Sequence, residues 1–593
     1  MRQKSRKHKK AKTYNREQDW TNFKIIRNEV IDLIREAKEK YFNKLQKDLS
    51  DKSTHPRKWW NIAKSIAKIN NKPSSNPLKV NDNILIHPRD KSEAFNNFFT
   101  SIASDITNIN LPELPPLCPF ELSEIIVTEQ DLKDQFSLLN TNKPAGPDGI
   151  LPKVIKNLSS SLIYPLKMLF NRTLTKGEIP DILKTACVNA LYKGKGEISD
   201  LNNYRPIAIT SVFIKMLERI IFKYTYNYIM KYQLLSENQS GFQPRDSTVN
   251  QLVDIFNTIS SNLDKGNDLR FVFCDISKAF DRVWHLGLLY KLRKFGIKGK
   301  LLEWFKAYLS DRKQSVVIDG YQSNTKLINA GVPQGSVLGP FLFLLFINDI
   351  TDNITSNIKL FADDTSLYIV IDSENDIEAA ANILNDDLSS ISSWANLWQI
   401  LFNPNKTVAV NFTRKQTDLH PPLLFNNHPV MQHDCHKHLG LTFNKKGTWS
   451  DHISTIYKNA SSRLNILRML KHKVDRNTLK TLYISYIRPI LEYSDVVWDN
   501  CSKKDSDLIE SVQLEAMRLI TGLRRGTSHH LLYSETQLET FETRRHNHKL
   551  TLMFKIINKY TPTYLYNIIQ PFINTNINYA FRNERIFSSF CTN

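Results

Sequence analysis

The residues whose chemistry stands out in this chain are three aspartates, Asp275, Asp363 and Asp364. Asp363 and Asp364 lie between two runs of alternating apolar residues, Ile358 to Ala362 and Leu367 to Val370. Alternation on both sides of a short polar break predicts a β-hairpin with the acids at its tip. Adjacent carboxylates on a tight turn suit magnesium, which takes oxygen ligands and is held by one or two protein carboxylates. Aspartate also favours turns for local reasons, so the pair alone is ambiguous. Upstream, Phe271-Val272-Phe273-Cys274 is the continuous apolar run of a strand buried on both faces, and Asp275 ends it. A charge there is costly unless it is paired or binds a metal. One carboxylate from this strand and two from the hairpin are able to hold two magnesium ions. That arrangement clamps the attacking and leaving oxygens of an in-line phosphoryl displacement.

Such acids need rigid supports. A helix is predicted from about Ser277 to Phe295, with Phe280, Trp284, Leu288, Leu289 and Leu292 near one stripe and Gly296 as its stop. Asp275 then stands at a strand-to-helix junction, where it or Ser277 is able to cap the helix. Residues 1–72 read as a basic helical arm, with Ile25, Val30, Leu33, Ile34, Ala37 and Tyr41 near a helical period. Trp59-Trp60 is able to stack on bases, though aromatic packing is the commoner use. Residues 73–140 begin with a Pro/Asn/Ser-rich linker. They then carry a short helix with Phe95, Phe98 and Phe99, and are broken by Pro112, Pro115, Pro116 and Pro119. Residues 446–545 read as helical and basic, and residues 546–593 form a tail that says little.

The formal net charge is +21, and residues 1–72 hold 21 Lys and Arg against 8 Asp and Glu. More than half of the excess therefore lies in the first eighth of the chain. A concentrated basic arm suits nucleic acid, because neutralised phosphates release condensed counterions. It is also the composition of a plain solvated tail. Arg2 to Lys12 has the make-up of a nuclear-import patch, so an intracellular location, nuclear or cytoplasmic with the nucleus slightly favoured, is expected. The six cysteines, at 118, 187, 274, 435, 501 and 591, form no CxxC pair, which fits a reducing compartment. His433, Cys435, His436 and His438 cluster too tightly for a standard structural zinc site. The most apolar run, Val337 to Ile347, is far short of a membrane span and reads as a buried core helix.

The ordered motifs resemble a known family. Asp275-Ile276-Ser277-Lys278-Ala279-Phe280-Asp281 resembles motif A of reverse transcriptases, Gly331 to Pro340 (GVPQGSVLGP) resembles motif B, and Phe361-Ala362-Asp363-Asp364 resembles motif C. Lys143 to Gly149 (KPAGPDG), Asn203 to Ile207 (NYRPI), Ser240 to Gln243 (SGFQ) and His438-Leu439-Gly440 resemble segments of non-LTR (LINE-type), jockey-like retrotransposon reverse transcriptases. The likeness is strong over 143–440 and continues weakly through Ile487 to Tyr493.

The resemblance implies an α+β right-hand polymerase, with fingers and palm over 141–445 and a thumb-like helical region over 446–545. It implies that Asp275, Asp363 and Asp364, with the Ile276 carbonyl, ligate two Mg2+ ions. Phe280 falls where the family places its steric gate against a ribose 2′-hydroxyl. Gln334 and Gly335 would lie beneath the incoming nucleotide and template base. Lys193, with Lys195 as a neighbouring alternative, and Arg205 match fingers positions that contact the triphosphate. Lys406 matches the lysine that protonates the leaving pyrophosphate. His438, Leu439 and Gly440 would form the primer grip.

The implied partners are template RNA, a DNA primer and deoxynucleoside triphosphates, with no membrane. Because the recognisable blocks begin near residue 143, the chain has no room for the endonuclease many such elements carry, and a separate endonuclease is an expected partner. Two alternatives stand beside the RNA-directed DNA polymerase. One is a catalytically inactive nucleic-acid-binding derivative, motivated by the basic arm. The other is an RNA-dependent RNA polymerase, motivated by the second acid of motif A, Asp281.

Overall fold

The apolar run before Asp275 is a strand covered on both faces, because Leu269, Phe271, Val272, Phe273 and Cys274 are all buried. The computed structural model describes residues 2–51, 56–66, 76–80, 83–107, 109, 111, 115–372, 376–416 and 420–573; Pro112 and the tail beyond 573 lie outside them. The chain divides into two compact units, one built from 1–71 with 449–553 and the other from 72–448 with 554–593.

The second unit holds the candidate site. Its main strands are β1 (Thr185–Tyr192), β2 (Tyr204–Ile209), β3 (Asp268–Asp275), β4 (Arg312–Ile318), β5 (Asn357–Phe361), β6 (Asp364–Ile371), β7 (Val408–Phe412), β8 (Cys435–His438) and β9 (Leu441–Asn444). One sheet runs β7-β3-β6-β5, all antiparallel, with Met431–Gln432 added in parallel beside β7. In chain order this is the β-α-β-β-α-β arrangement, since the helices Leu338–Ile347 and Ile377–Trp398 fall between its first and second and its third and fourth strands. Both helices cover the same face: Leu342, Leu345, Leu384 and Leu388 share one buried cluster with Val272, Cys274, Leu367 and Ile369. The 338–347 helix is buried throughout nearly its whole length, as its unbroken apolar composition requires. Among the described residues no helix is long and apolar enough to cross a membrane.

A second sheet runs β2-β1-β4, with β1 antiparallel to β2 and parallel to β4. The helix Pro88–Ser101 closes it, burying Phe95 and Phe99 against Val188, Ala208 and Val316. In the other unit the basic arm is helical over Arg2–Tyr14, Glu17–Ser50 and Pro56–Ile66. Ile25, Leu33, Ile34 and Tyr41 stand exposed along it. Trp59 donates from Nε1 to the Leu49 carbonyl at 2.8 Å, and the Trp60 ring packs 5.4 Å from Tyr486. These indoles are used for packing within their own unit.

One predicted element is corrected. The helix expected from about Ser277 to Phe295 is a turn, a short 3₁₀ segment Ala279–Arg282, and only then an α-helix His285–Lys294. The cause is competition for the backbone. The Phe280 carbonyl accepts from Val332 N at 2.8 Å and the Val283 carbonyl from Gly331 N at 2.8 Å, while Lys278 sits at φ +51°. Motif B thus takes the carbonyls that a helix would have used, and neither Asp275 nor Ser277 caps one. The predicted stop holds, with Gly296 at φ +87°.

Candidate active site

Strand pairing brings the acids together. Asp275, the last residue of β3, is the register partner of Asp364, the first residue of β6. Directly opposite residues project to the same face of a sheet, roughly 5 Å apart at Cβ. Asp363 is beside them at the tip of the β5–β6 hairpin, whose two-residue turn is Ala362-Asp363. Ala362 carries φ +56°, a conformation that favours glycine, so the tip is held from outside. Gln239, buried, accepts through Oε1 from Ala362 N at 3.0 Å and from Gly241 N at 2.7 Å. The Leu360 carbonyl accepts from Ser240 N at 2.9 Å and from Gln251 Nε2 at 3.0 Å. A Cβ on Gly241 would meet Ala362 N at 2.2 Å, so only glycine lets this cradle close on the tip. The 240–243 block flagged from sequence therefore supports the hairpin. Gln239, beside it, was not singled out, because a glutamine in a polar stretch carries no periodic signal.

Charge at the tip is only partly offset by nearby cations. Burial, and then the neighbouring Asp275, pushes Asp363 above the ordinary carboxylate range, with Arg205 acting in the opposite direction. Asp364 is pushed up to about 6 by the surrounding protein and by Asp363 and Asp275, although its side chain reaches solvent. A divalent cation relieves this repulsion, and the donor set is the all-oxygen one that a hard cation takes. Among the described residues no three His, Cys, Asp or Glu side chains are placed closely enough to hold a metal ion by themselves. An open site of this kind leaves positions for water and phosphate oxygens. The Asp275 carbonyl accepts from Asn403 N at 2.8 Å and Ser277 N donates to the Leu401 carbonyl at 2.7 Å. In such a pair Ile276 turns its own carbonyl away from the 401–403 segment.

The cations predicted from sequence lie around the acids. Lys406 Nζ is 3.3 Å from Asp275 Oδ2. Lys193 Nζ donates to the Asn202 carbonyl at 2.8 Å. Burial, then Arg205 and Lys406, hold its ammonium below the ordinary lysine value, while Asp281 and Asp275 act the other way. Arg205, on β2 opposite Leu191, is the one base acting on Asp363.

Motif B closes the other side. The Gln334 carbonyl accepts from Ala208 N of β2 at 2.7 Å. Gly335 has φ +125°, and a Cβ there would lie 2.4 Å from the Ala208 carbonyl. Gln334 Nε2 donates to Asp281 Oδ1 at 2.8 Å. Burial pushes Asp281 up to about 6. Asp281 is thus engaged by motif B. Phe280, half-buried, stacks on Phe343 at 4.6 Å with its ring edge-on to Phe242 at 6.2 Å.

The 438–440 block forms the tight turn between β8 and β9, with Leu439 at φ +44° and Gly440 at φ +95°. His436 stacks on Phe273 at 4.3 Å and buried His438 lies 4.9 Å from the same ring. Phe273 is two residues before Asp275, so by strand alternation this hairpin packs on the face that carries the acid.

A four-stranded palm with an acid cluster on its open face, flanked by a fingers sheet, is the architecture of a template-directed polymerase. Residues 193–443 match the family described as reverse transcriptase (RNA-dependent DNA polymerase). The RNA-directed DNA polymerase from mobile element jockey of Drosophila melanogaster is 30% identical over 68% of this chain and 45% of its own length. The "Probable RNA-directed DNA polymerase from transposon BS" of the same organism is 29% identical over 73% of this chain and 48% of its own. The chain spans about half the length of the curated relatives it matches. A solved apo telomerase from Candida Tropicalis, truncated from its C-terminal domain, aligns over 48% of this chain and 58% of that one at 15% identity and TM-score 0.29, too loosely for a residue correspondence.

Proposed function

We propose that the chain is the RNA-directed DNA polymerase of a non-LTR retrotransposon, extending a DNA primer 3′ end on an RNA template. The observation that carries this reading is the pairing of Asp275 with Asp364 beside Asp363 at the hairpin tip, within a reverse transcriptase domain. Asp275, Asp363 and Asp364, with the Ile276 carbonyl, would hold two Mg2+ ions. When bound, they neutralise charge on the attacking and leaving oxygens. Arg205 and Lys193 bind the triphosphate, the arginine through its planar fork. Lys406 is close enough to the acids to hand its proton to the departing pyrophosphate. Phe280 crowds the ribose 2′ position, and Gln334 with Gly335 forms the floor under the nucleotide. The His438-Leu439-Gly440 turn steadies the primer strand. Delivery to the nucleus through Arg2 to Lys12 belongs to the same reading and is checked by locating a fluorescent fusion with and without residues 2–12.

Primer extension on poly-rA/oligo-dT with Mg2+ and dTTP tests the activity. Wild type extends, and Asp363→Asn loses about 10³-fold or more while still binding primer-template. Folded wild type that binds but does not extend would instead establish the inactive nucleic-acid-binding derivative.

A further inference from the structure

Residues 102–107 lie outside the span that matches the family, yet they reach motif A. Arg282 Nη1 donates to the Ile102 carbonyl at 2.7 Å and to Asp105 Oδ1 at 2.8 Å, and its Nη2 donates to Asp105 Oδ2 at 2.9 Å. This is the bidentate geometry in which a guanidinium fixes direction as well as distance. The Arg282 side chain is 7% exposed and that of Asp105 59%, so the acid comes from outside to a buried base. The segment's last residue makes its other fastening: Gln399 Nε2 donates to the Thr107 carbonyl at 2.7 Å, and Thr107 N donates to Gln399 Oε1 at 2.8 Å. In the preceding helix, Phe98 lies 4.3 Å beneath the Lys278 ammonium.

Both fastenings act on the backbone around Asp275. Arg282 ends the 3₁₀ segment that follows it. Gln399, at φ +57°, starts the segment whose Leu401 and Asn403 bond to Ser277 N and the Asp275 carbonyl. The motif A turn has no α-helix to stiffen it, because its carbonyls go to motif B.

We infer that residues 102–107 are a strap that fixes the motif A turn, with Asp105 as a positioning residue for Asp275 acting through Arg282. The catalytic half of this inference rests on the polymerase reading; the structural half does not. The hydrogen bond from Arg282 holds the Asp105 carboxyl below the ordinary carboxylate range, as the pair requires.

The test compares the full chain with Asp105→Ala and Asp105→Glu. Two readouts are taken: amide hydrogen exchange over residues 276–284, and kcat and KM for dTTP on poly-rA/oligo-dT. In Asp105→Ala, exchange over 276–284 rises about tenfold and kcat falls about 10- to 100-fold, with KM changed far less. Asp105→Glu, which keeps the carboxylate, recovers most of both. Unchanged exchange and unchanged kcat in Asp105→Ala overturn the strap. If wild type does not extend, the polymerase reading fails, and exchange alone decides the strap. Should Asp105→Ala not fold, Gln399→Ala loosens the other fastening and is read in the same way.

Discussion

Gln239 Oε1 accepts the amide of Ala362 at 3.0 Å, so the tip of the acid-bearing hairpin is held by a side chain more than a hundred residues upstream. The same oxygen accepts Gly241 N, and both bonds are buried. Gln239→Ala leaves two buried amides unsatisfied and lowers stability by about 1–3 kcal/mol, measured by urea unfolding. Gln239→Glu keeps an acceptor in the same place and loses less. Equal stability of wild type and Gln239→Ala would show that the tip holds its own geometry.

Phe280 is stacked on Phe343 rather than free in solvent, so its ring has a defined position. Phe280→Val removes ring volume while keeping an apolar residue. Ribonucleotide incorporation relative to deoxynucleotide incorporation then rises roughly 10- to 100-fold in single-nucleotide extension assays. An unchanged ratio assigns Phe280 to core packing alone.

His436 and His438 give the palm an acid-sensitive layer. Burial pushes His436 down to about 4 and His438 down to about 3, from an ordinary value of 6.5. Below the ordinary value the unfolded chain takes up protons that the folded one does not, so stability is lost as pH falls from 6.5 toward these values. His438→Leu removes one of these groups. Its melting temperature should fall less than that of wild type between about pH 7.5 and about pH 5.5. Parallel losses in the two proteins would contradict the assignment.

The β5–β6 hairpin, the buried strand before Asp275 and the apolar helix 338–347 were legible because each is set by local periodicity or by an unbroken apolar run. The turn after Asp275 was not legible. Its stripe of Phe280, Trp284 and Leu288 has helical spacing, but partners some fifty residues away, Gly331 and Val332, take the carbonyls at 283 and 280. The strap was hidden for the same reason: nothing near Asp105 in sequence points to Arg282, 177 residues on. Gln239 and Asp105 both act across the chain, where neither composition nor spacing reports on them.

The first 71 residues share a compact unit with residues 449–553, and Trp60 meets Tyr486 within it. On a ribosome these partners are separated in time as well as in sequence. At roughly 5–20 residues per second, the stretch between them takes on the order of 20–90 s to synthesise. During that interval the arm's basic charge and exposed apolar residues stand without the segment that Trp60 packs on. The order of synthesis therefore makes this unit the one that cannot close until most of the chain has been made.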